Sequence, residues 1–242
     1  NRIVEKAFLV DHGIAVGPYV AAGADLDDAH LRRARKLAES GAVVKTAQFG
    51  YDGKGQRRIS SAVELDAALS EFDSDCIVEA LLDLQAEVSV VVARTVGGAV
   101  KSWPVTENVH VEGILDLSVA PARITDDLAT RAIEIATTVA TELDYVGVLA
   151  VEMFVVGDDE LLVNEIAPRP HNSGHWTLDA SVTSQFEQQI RAVCGVGLGD
   201  TAMTAPSAAM VNLLGDLWFR NDSSELVEPN WAAALAEPTA TL

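Results

Sequence analysis

The sequence is short of cysteine, of aromatic side chains and of positive charge. Cys76 and Cys194 are its two cysteines. That is too few for a disulfide framework, so a reducing cytoplasm is the expected compartment, with a single bridge as the alternative. Aromatic residues make up 5%, and 17 Lys and Arg face 36 Asp and Glu, a formal net charge of −19. So acidic a chain repels nucleic-acid phosphate and anionic lipid, which argues against DNA, RNA or a membrane as partner. A small phosphorylated ligand stays open, because a local pocket can oppose the global sign. No apolar run reaches the ~20 residues of a membrane helix. The charged opening Asn1-Arg2-Ile3-Val4-Glu5-Lys6 has neither a signal-peptide core nor an initiator Met. The missing Met leads us to expect an internal segment of a longer protein. The five histidines and two cysteines show no zinc spacing, and there is no Ser or Cys nucleophile motif. His12 and His30 read as surface residues, and the basic residues at 32–36 as a solvated helix face.

What is present is 49% hydrophobic residues over 242 positions, enough for a sizeable core. Apolar spacing predicts helices over 2–12, 26–40, 181–194 and, from the capping box at Ser61-Ala62-Val63-Glu64, 61–69. Thr125-Asp126-Asp127 caps a long helix to about Leu143, and a short one is expected near Trp231. Strands are expected at 42–45, 76–82, 87–94, 114–120, 146–156, 161–166 and 208–214, with Gly97-Gly98 turning a hairpin through Trp103. Strands that pair locally among interleaved helices give an α+β class. Gly195-Val196-Gly197-Leu198-Gly199 follows a helix rather than a strand, so it is no dinucleotide fingerprint.

Three segments carry the chemistry. Residues 151–166 form an apolar hairpin around Gly157-Asp158-Asp159-Glu160. With a four-residue turn, Val156 faces Leu161, Phe154 faces Val163 and Glu152 faces Glu165, both glutamates on one face. Like charges directly opposite destabilise a sheet. A hard divalent cation such as Mg²⁺, which takes one or two carboxylates plus substrate phosphates, gives the pair a reason. A solvated sheet face is the other reading, and a one-residue slip would separate the two side chains. The loop Gly50-Tyr51-Asp52-Gly53-Lys54-Gly55-Gln56 holds three glycines in seven residues, with Lys45 upstream and Lys54 inside it. It suits a polyphosphate without being a Walker A loop, and a plain turn remains the alternative. The loop 167–176 brings Arg169, His171, Asn172, Ser173 and His175 together, denser in polar types than a structural loop requires.

The runs Lys45 to Gln56 and Asn164-Glu165-Ile166-Ala167-Pro168-Arg169-Pro170-His171-Asn172-Ser173-Gly174-His175-Trp176-Thr177 resemble the ATP-grasp ligases. Among these they are similar to the N5-carboxyaminoimidazole ribonucleotide synthetase family, ATP-dependent carboxylases of purine biosynthesis. The resemblance runs from the opening helix to Met210-Val211-Asn212-Leu213-Leu214-Gly215. It implies an ATP-grasp fold divided as a leading helix and linker at 1–20, a lid at 21–78, a catalytic core at 79–203 and part of a C-terminal β domain at 204–242. It further implies ATP and Mg²⁺ as cofactors, aminoimidazole ribonucleotide and bicarbonate as substrates, and a cytoplasmic homodimer.

By the same resemblance, Lys45 and the loop Gly50, Tyr51, Asp52, Gly53, Lys54, Gly55 and Gln56 would bind ATP phosphates. Glu79, Ala80, Leu81 and Leu82 would read adenine through backbone groups, Glu87 would take the ribose hydroxyls, and His110 and Asn164 would border the nucleotide. Glu152 and Glu165 would hold Mg²⁺, with Glu165 also at the ATP site. Arg169, His171, Asn172 and Lys54 would serve the reacting groups, and Tyr51 would approach the ribonucleotide. Family members carry an N-terminal α/β domain and a basic C-terminal end that this sequence lacks. Another ATP-grasp carboxylate–amine ligase, or an ATP-binding fragment without turnover, are the rival readings.

Overall fold

The computed structural model describes residues 1–22, 28–50, 55–219 and 225–242. Helix α1 (Arg2–Asp11) opens it, its first turn capped by the Asn1 side chain, which accepts from the N–H groups of Ile3 and Val4. Next comes an antiparallel sheet of β1 (Tyr19–Ala22), β2 (Ala42–Thr46), β3 (Gln56–Ile59) and β4 (Cys76–Ala80), in the order β1-β4-β2-β3. Helices α2 (Asp28–Glu39) and α3 (Ala62–Phe72) cover one face of it, burying Val20, Ala34, Ala38, Val44, Ile59, Leu65 and Val78. Side chains alternate along each strand. The opposite face therefore carries Val43, Lys45, Arg58 and Glu79, aligned by the pairs Val43↔Arg58 and Val43↔Glu79.

The second sheet is also antiparallel. It contains β5 (Leu84–Arg94), β6 (Val100–Ser102), β7 (Thr106–Val111), β8 (Ile114–Ala120), β9 (Gly147–Val156), β10 (Glu160–Ala167) and β11 (Ala208–Val211). The order is β10-β9-β5-β7-β8-β11, with β6 on β5. Helix α4 (Asp126–Glu142), capped by Thr125, packs Leu128, Ala132, Ala136 and Val139 against Val88, Val90, Leu149, Val151 and Met153. The other face buries Val91, Ala93, Val148 and Ala150 with Trp103 and Trp176. Helix α6 (Gln185–Val193) stands where a helix over 181–194 was expected, and the short α5 (Thr177–Ala180) precedes it. Ser184 restarts the chain as N-cap of α6, accepting from the Glu187 N–H. The α+β class is borne out.

Three strands escaped the sequence reading. β1 and β3 are short edge strands, and β3, Gln-Arg-Arg-Ile, is exposed except at Ile59. β7 is broken by polar residues that its position beside the site requires. The hairpin β9–β10 differs in register from expectation. Glu160 pairs with Val156, Leu161 with Val155 and Val163 with Met153. A bulge between Val163 and Glu165 then restores Glu165 opposite Glu152. The turn uses one residue fewer than assumed, and the bulge returns that residue to the strand. Among the described residues no helix is long and apolar enough to cross a membrane.

Candidate active site

A cleft of about 940 Å³ lies between the two sheets. The four-stranded sheet contributes Val43, Lys45, Gln56, Arg58 and Glu79. The larger sheet contributes Glu87, His110, Glu152, Phe154, Val163, Asn164 and Glu165, and the loop after β10 adds Arg169, His171 and Asn172.

On its floor is a mixed ion cluster. The Glu79 carboxylate receives Lys45 Nζ at 2.6 Å on Oε2 and Lys6 Nζ at 2.9 Å on Oε1. Burial disfavours its charge, but the two ammonium groups hold the carboxyl below the usual carboxylate range. Lys6 is 3% exposed and also donates to the carbonyls of Val163 (3.0 Å) and Asn164 (2.8 Å). Its three protons are therefore all used. Lys45 has a further contact with Asn164 Oδ1 at 3.4 Å.

The bulge decides what faces the cleft. Leu161 and Val163 point into the α4 core. By simple alternation Glu165 would follow them; the extra residue turns it to the side of Glu152, with Asn164 also lining the cleft. β10 is an edge strand, and the start of the chain covers that edge. The Val163 N–H bonds to Ala15 O at 2.8 Å, Lys6 takes two carbonyls, and the Ile166 N–H donates to Glu5 Oε1 at 2.6 Å. Arg2 reaches Glu165 Oε2 at 3.3 Å.

The two paired carboxyls are not equivalent. Burial pushes Glu152 up, but the His171 hydrogen bond and nearby cations outweigh it and hold the group below the ordinary range. Burial, then repulsion from Glu152, raises Glu165. Among the described residues no cluster of three or more His, Cys, Asp or Glu is placed to hold a metal. Two carboxylates with an amide oxygen beside them fit an ion that takes its remaining ligands from water and phosphate. That is the habit of Mg²⁺.

His110 Nδ1 lies 2.9 Å from Glu87 Oε2. The Glu87 carboxylate raises the ring above its ordinary value despite burial. Arg169 is exposed and donates to the neighbouring Pro170 carbonyl at 3.0 Å.

The cleft thus gathers Lys45, Gly50, Gln56, Glu79, Ala80, Leu81, Leu82, Glu87, His110, Glu152, Asn164, Glu165, Arg169, His171 and Asn172, as the sequence led us to expect. Tyr51, Asp52, Gly53 and Lys54 lie outside the described residues. Gly55 does not line the cleft. It has φ +69°, and an added Cβ would stand 2.7 Å from Thr46 Oγ1, so its role is to let the strand end pack. The N–H groups of Ala80 and Leu81 are bound to Pro18 O and Gly41 O, so they are committed within the protein. His175 lies away from the cleft, 5.5 Å from the Phe186 ring. Sequence reasoning missed Arg2, Lys6 and Arg58. The i, i+4 spacing of Arg2 and Lys6 was the available signal, and it was hidden in a helix read for its apolar stripe.

Two sheets closing on a cleft that holds a lysine and paired glutamates are the layout of a nucleotide-dependent ligase. The pattern defining the ATP-grasp domain matches residues 7–186, and the chain belongs to the ATP-grasp family. Within it, the chain is similar to N5-carboxyaminoimidazole ribonucleotide synthase of Bacillus subtilis, 46% identical over 218 residues, covering 89% of this chain and 56% of the relative. The counterpart from Mycobacterium leprae is 41% identical over 89% of this chain and 51% of its own. Among solved structures, an N5-carboxyaminoimidazole ribonucleotide synthetase in complex with ADP superposes with a TM-score of 0.82 at 44% identity, over 90% of this chain and 57% of that one. The Aspergillus clavatus synthase, solved with ADP and 5-aminoimidazole ribonucleotide, has a TM-score of 0.78 at 27% identity, over 89% and 57%. The chain spans about half the length of the curated relatives it matches.

Proposed function

We propose that this chain is the ATP-grasp portion of an enzyme that carboxylates 5-aminoimidazole ribonucleotide with ATP and bicarbonate. The observation that carries this is the pairing of Glu152 with Glu165 across a bulge, beside Lys45 and beneath the loop of Arg169, His171 and Asn172. Glu152 and Glu165 would hold Mg²⁺, which when bound offsets charge on the transferring phosphoryl group. Lys45 would neutralise phosphate oxygens, since Glu79 fixes it without consuming its charge alone: Lys6 shares that carboxylate. Glu87 would accept hydrogen bonds from ribose hydroxyls. A bicarbonate oxygen would attack the γ-phosphorus, the bond to the β-bridging oxygen would break, and ADP would leave. Arg169 would stabilise the resulting carboxyphosphate. Its breakdown would release CO₂ and phosphate in the cleft, and the substrate amine would attack CO₂ and lose a proton. Residues 21–78 would move as a lid that keeps water out, with Lys54 and Tyr51 on it, over a core of 79–203. A homodimer working in the cytoplasm belongs to the same reading, and sedimentation tests the dimer.

The experiment is ADP release by the longer protein. The expected result is Mg²⁺-dependent release that rises when aminoimidazole ribonucleotide and bicarbonate are both present. Release that ignores the ribonucleotide but responds to another amine or carboxylate would move the assignment to another ligase of the family. Mg·ATP binding without any release would reduce it to a nucleotide-binding module.

A further inference from the structure

A chain of buried polar side chains crosses the larger sheet and ends at the cleft. Ser118 on β8, Asn108 on β7, Ser89 on β5 and Ser173 in the loop after β10 are 0%, 6%, 0% and 0% exposed. Ser118 Oγ lies 2.8 Å from Asn108 Oδ1, and Asn108 Nδ2 lies 2.9 Å from Ser89 Oγ. Ser89 Oγ is 2.7 Å from Ser173 Oγ, which is 2.9 Å from His171 Nδ1. His171 Nε2 then meets Glu152 Oε1 at 2.9 Å.

The direction of every proton follows from the cleft end. A carboxylate only accepts, so His171 Nε2 carries a proton. The Ser173 backbone N–H points at Nδ1 from 3.3 Å, so Nδ1 accepts. The one hydroxyl proton of Ser173 therefore goes to Nδ1, and that of Ser89 goes to Ser173. Asn108 must then turn its NH₂ toward Ser89, and its carbonyl accepts from Ser118. No group is left over and none is reversed. The main chain of His171 is clamped as well: Gln185, 0% exposed, accepts from its N–H at 2.8 Å and donates to its carbonyl at 2.7 Å. Buried polar side chains are costly unless fully satisfied, and satisfied ones specify a single arrangement.

We propose that Ser118, Asn108, Ser89 and Ser173 are positioning residues, forming a one-way relay that holds His171 with Nδ1 bare and its Nε2–H aimed at Glu152. Asn108 carries that direction across the sheet, because it alone in the relay offers a donor and an acceptor on separate atoms. The isosteric change Asn108→Asp removes the N–H donor. The Ser89 proton would then turn to the introduced carboxylate and the Ser173 proton to Ser89, so His171 Nδ1 would lose its hydroxyl donor.

The test is ¹⁵N-histidine NMR on the 242-residue chain, whose five histidines are assigned with His171→Gln. The wild type is expected to show Nε2 protonated and Nδ1 bare and hydrogen-bonded. Asn108→Asp and Ser173→Ala should each shift the Nδ1 resonance by removing its hydroxyl donor while Nε2 stays protonated. In the longer protein each variant should lower kcat about 10-fold or more with KM for ATP unchanged. That kinetic arm rests on the carboxylation reading above, and the resonances do not, so the two can fail separately. A proton on Nδ1 in the wild type overturns the relay. So do variants that fold and leave the His171 resonances unmoved. If Asn108→Asp does not fold, Ser173→Ala decides by the same criterion.

Discussion

Glu152 and Glu165 share one site because the bulge before Glu165 brings it opposite Glu152. Their shifts run in opposite directions: the carboxyl beside His171 is held low and the other is raised by burial and by its partner. Glu152→Gln and Glu165→Gln should each lower Mg²⁺-dependent turnover of the longer protein by about 10² or more. Glu165→Gln should also raise thermal stability without metal, because it removes the repulsion; an unchanged Tm would count against the paired-carboxylate account. Glu5 gives a pH prediction. Burial pushes its carboxyl up to about 7, although the Ile166 N–H bond works against this. The folded chain thus keeps a proton that the unfolded chain releases above the ordinary value of 4.5. Stability should fall as pH rises from about 5 to 7, then level off. Glu5→Gln, which can still accept from Ile166, should remove roughly 2–3 kcal/mol of that loss at pH 8 and almost none at pH 5. Tm measured at the two pH values checks it.

At the level of elements, α1 and the β9–β10 hairpin act as one unit. An edge strand with a bulge exposes carbonyls and N–H groups that invite other partners. Lys6, Glu5 and the Ala15 carbonyl occupy that edge. Lys6→Met keeps the aliphatic stem but loses two carbonyl bonds and leaves Glu79 with Lys45 alone. It should cost about 3–5 kcal/mol. Lys6→Met with Glu79→Gln should cost less than the sum of the single changes, since the charge left unpaired by the first is removed by the second. Denaturant melts of the four chains measure this, and strict additivity would contradict the coupling. The elements also mark where the sequence was readable. Caps at Ser61 and Thr125 act locally and appear as expected, and the short helix near Trp231 is present with Asn230 as its cap. The bulge at Asn164 depends on a lysine 158 positions away and has no local signature.

At the scale of the whole molecule, the cleft reconciles a net charge of −19 with a phosphate-binding role. Lys6, Lys45, Arg2, Arg58 and Arg169 converge on it, a large share of 17 basic residues. Much of their charge is set against Glu79 and Glu165, so a metal is the natural complement for an incoming polyphosphate. Because the cleft is lined from both sheets, a nucleotide there should stabilise them together. Mg·ATP at 100 times its Kd should add about 2.7 kcal/mol, read as a rise in Tm, and ATP with EDTA should give far less. Equal shifts with and without Mg²⁺ would remove the metal from the binding step.

The α+β class, the glycine-rich loop, the dense polar loop and the two glutamates at hairpin spacing were legible from local patterns, whereas Glu79 to Leu82, Glu87 and His110 were reached only through the family resemblance. The opposition of Glu152 and Glu165 was read correctly from a register that is otherwise one residue off, and the bulge made up the difference. Only the tertiary structure decided that α1 belongs to the site, that Glu79 is an ion partner of Lys45 and Lys6, and that Ser118, Asn108, Ser89 and Ser173 connect to His171. These contacts join residues far apart in the chain, and a side chain's hydrogen-bond partner is set by which strands lie side by side, which no local spacing records.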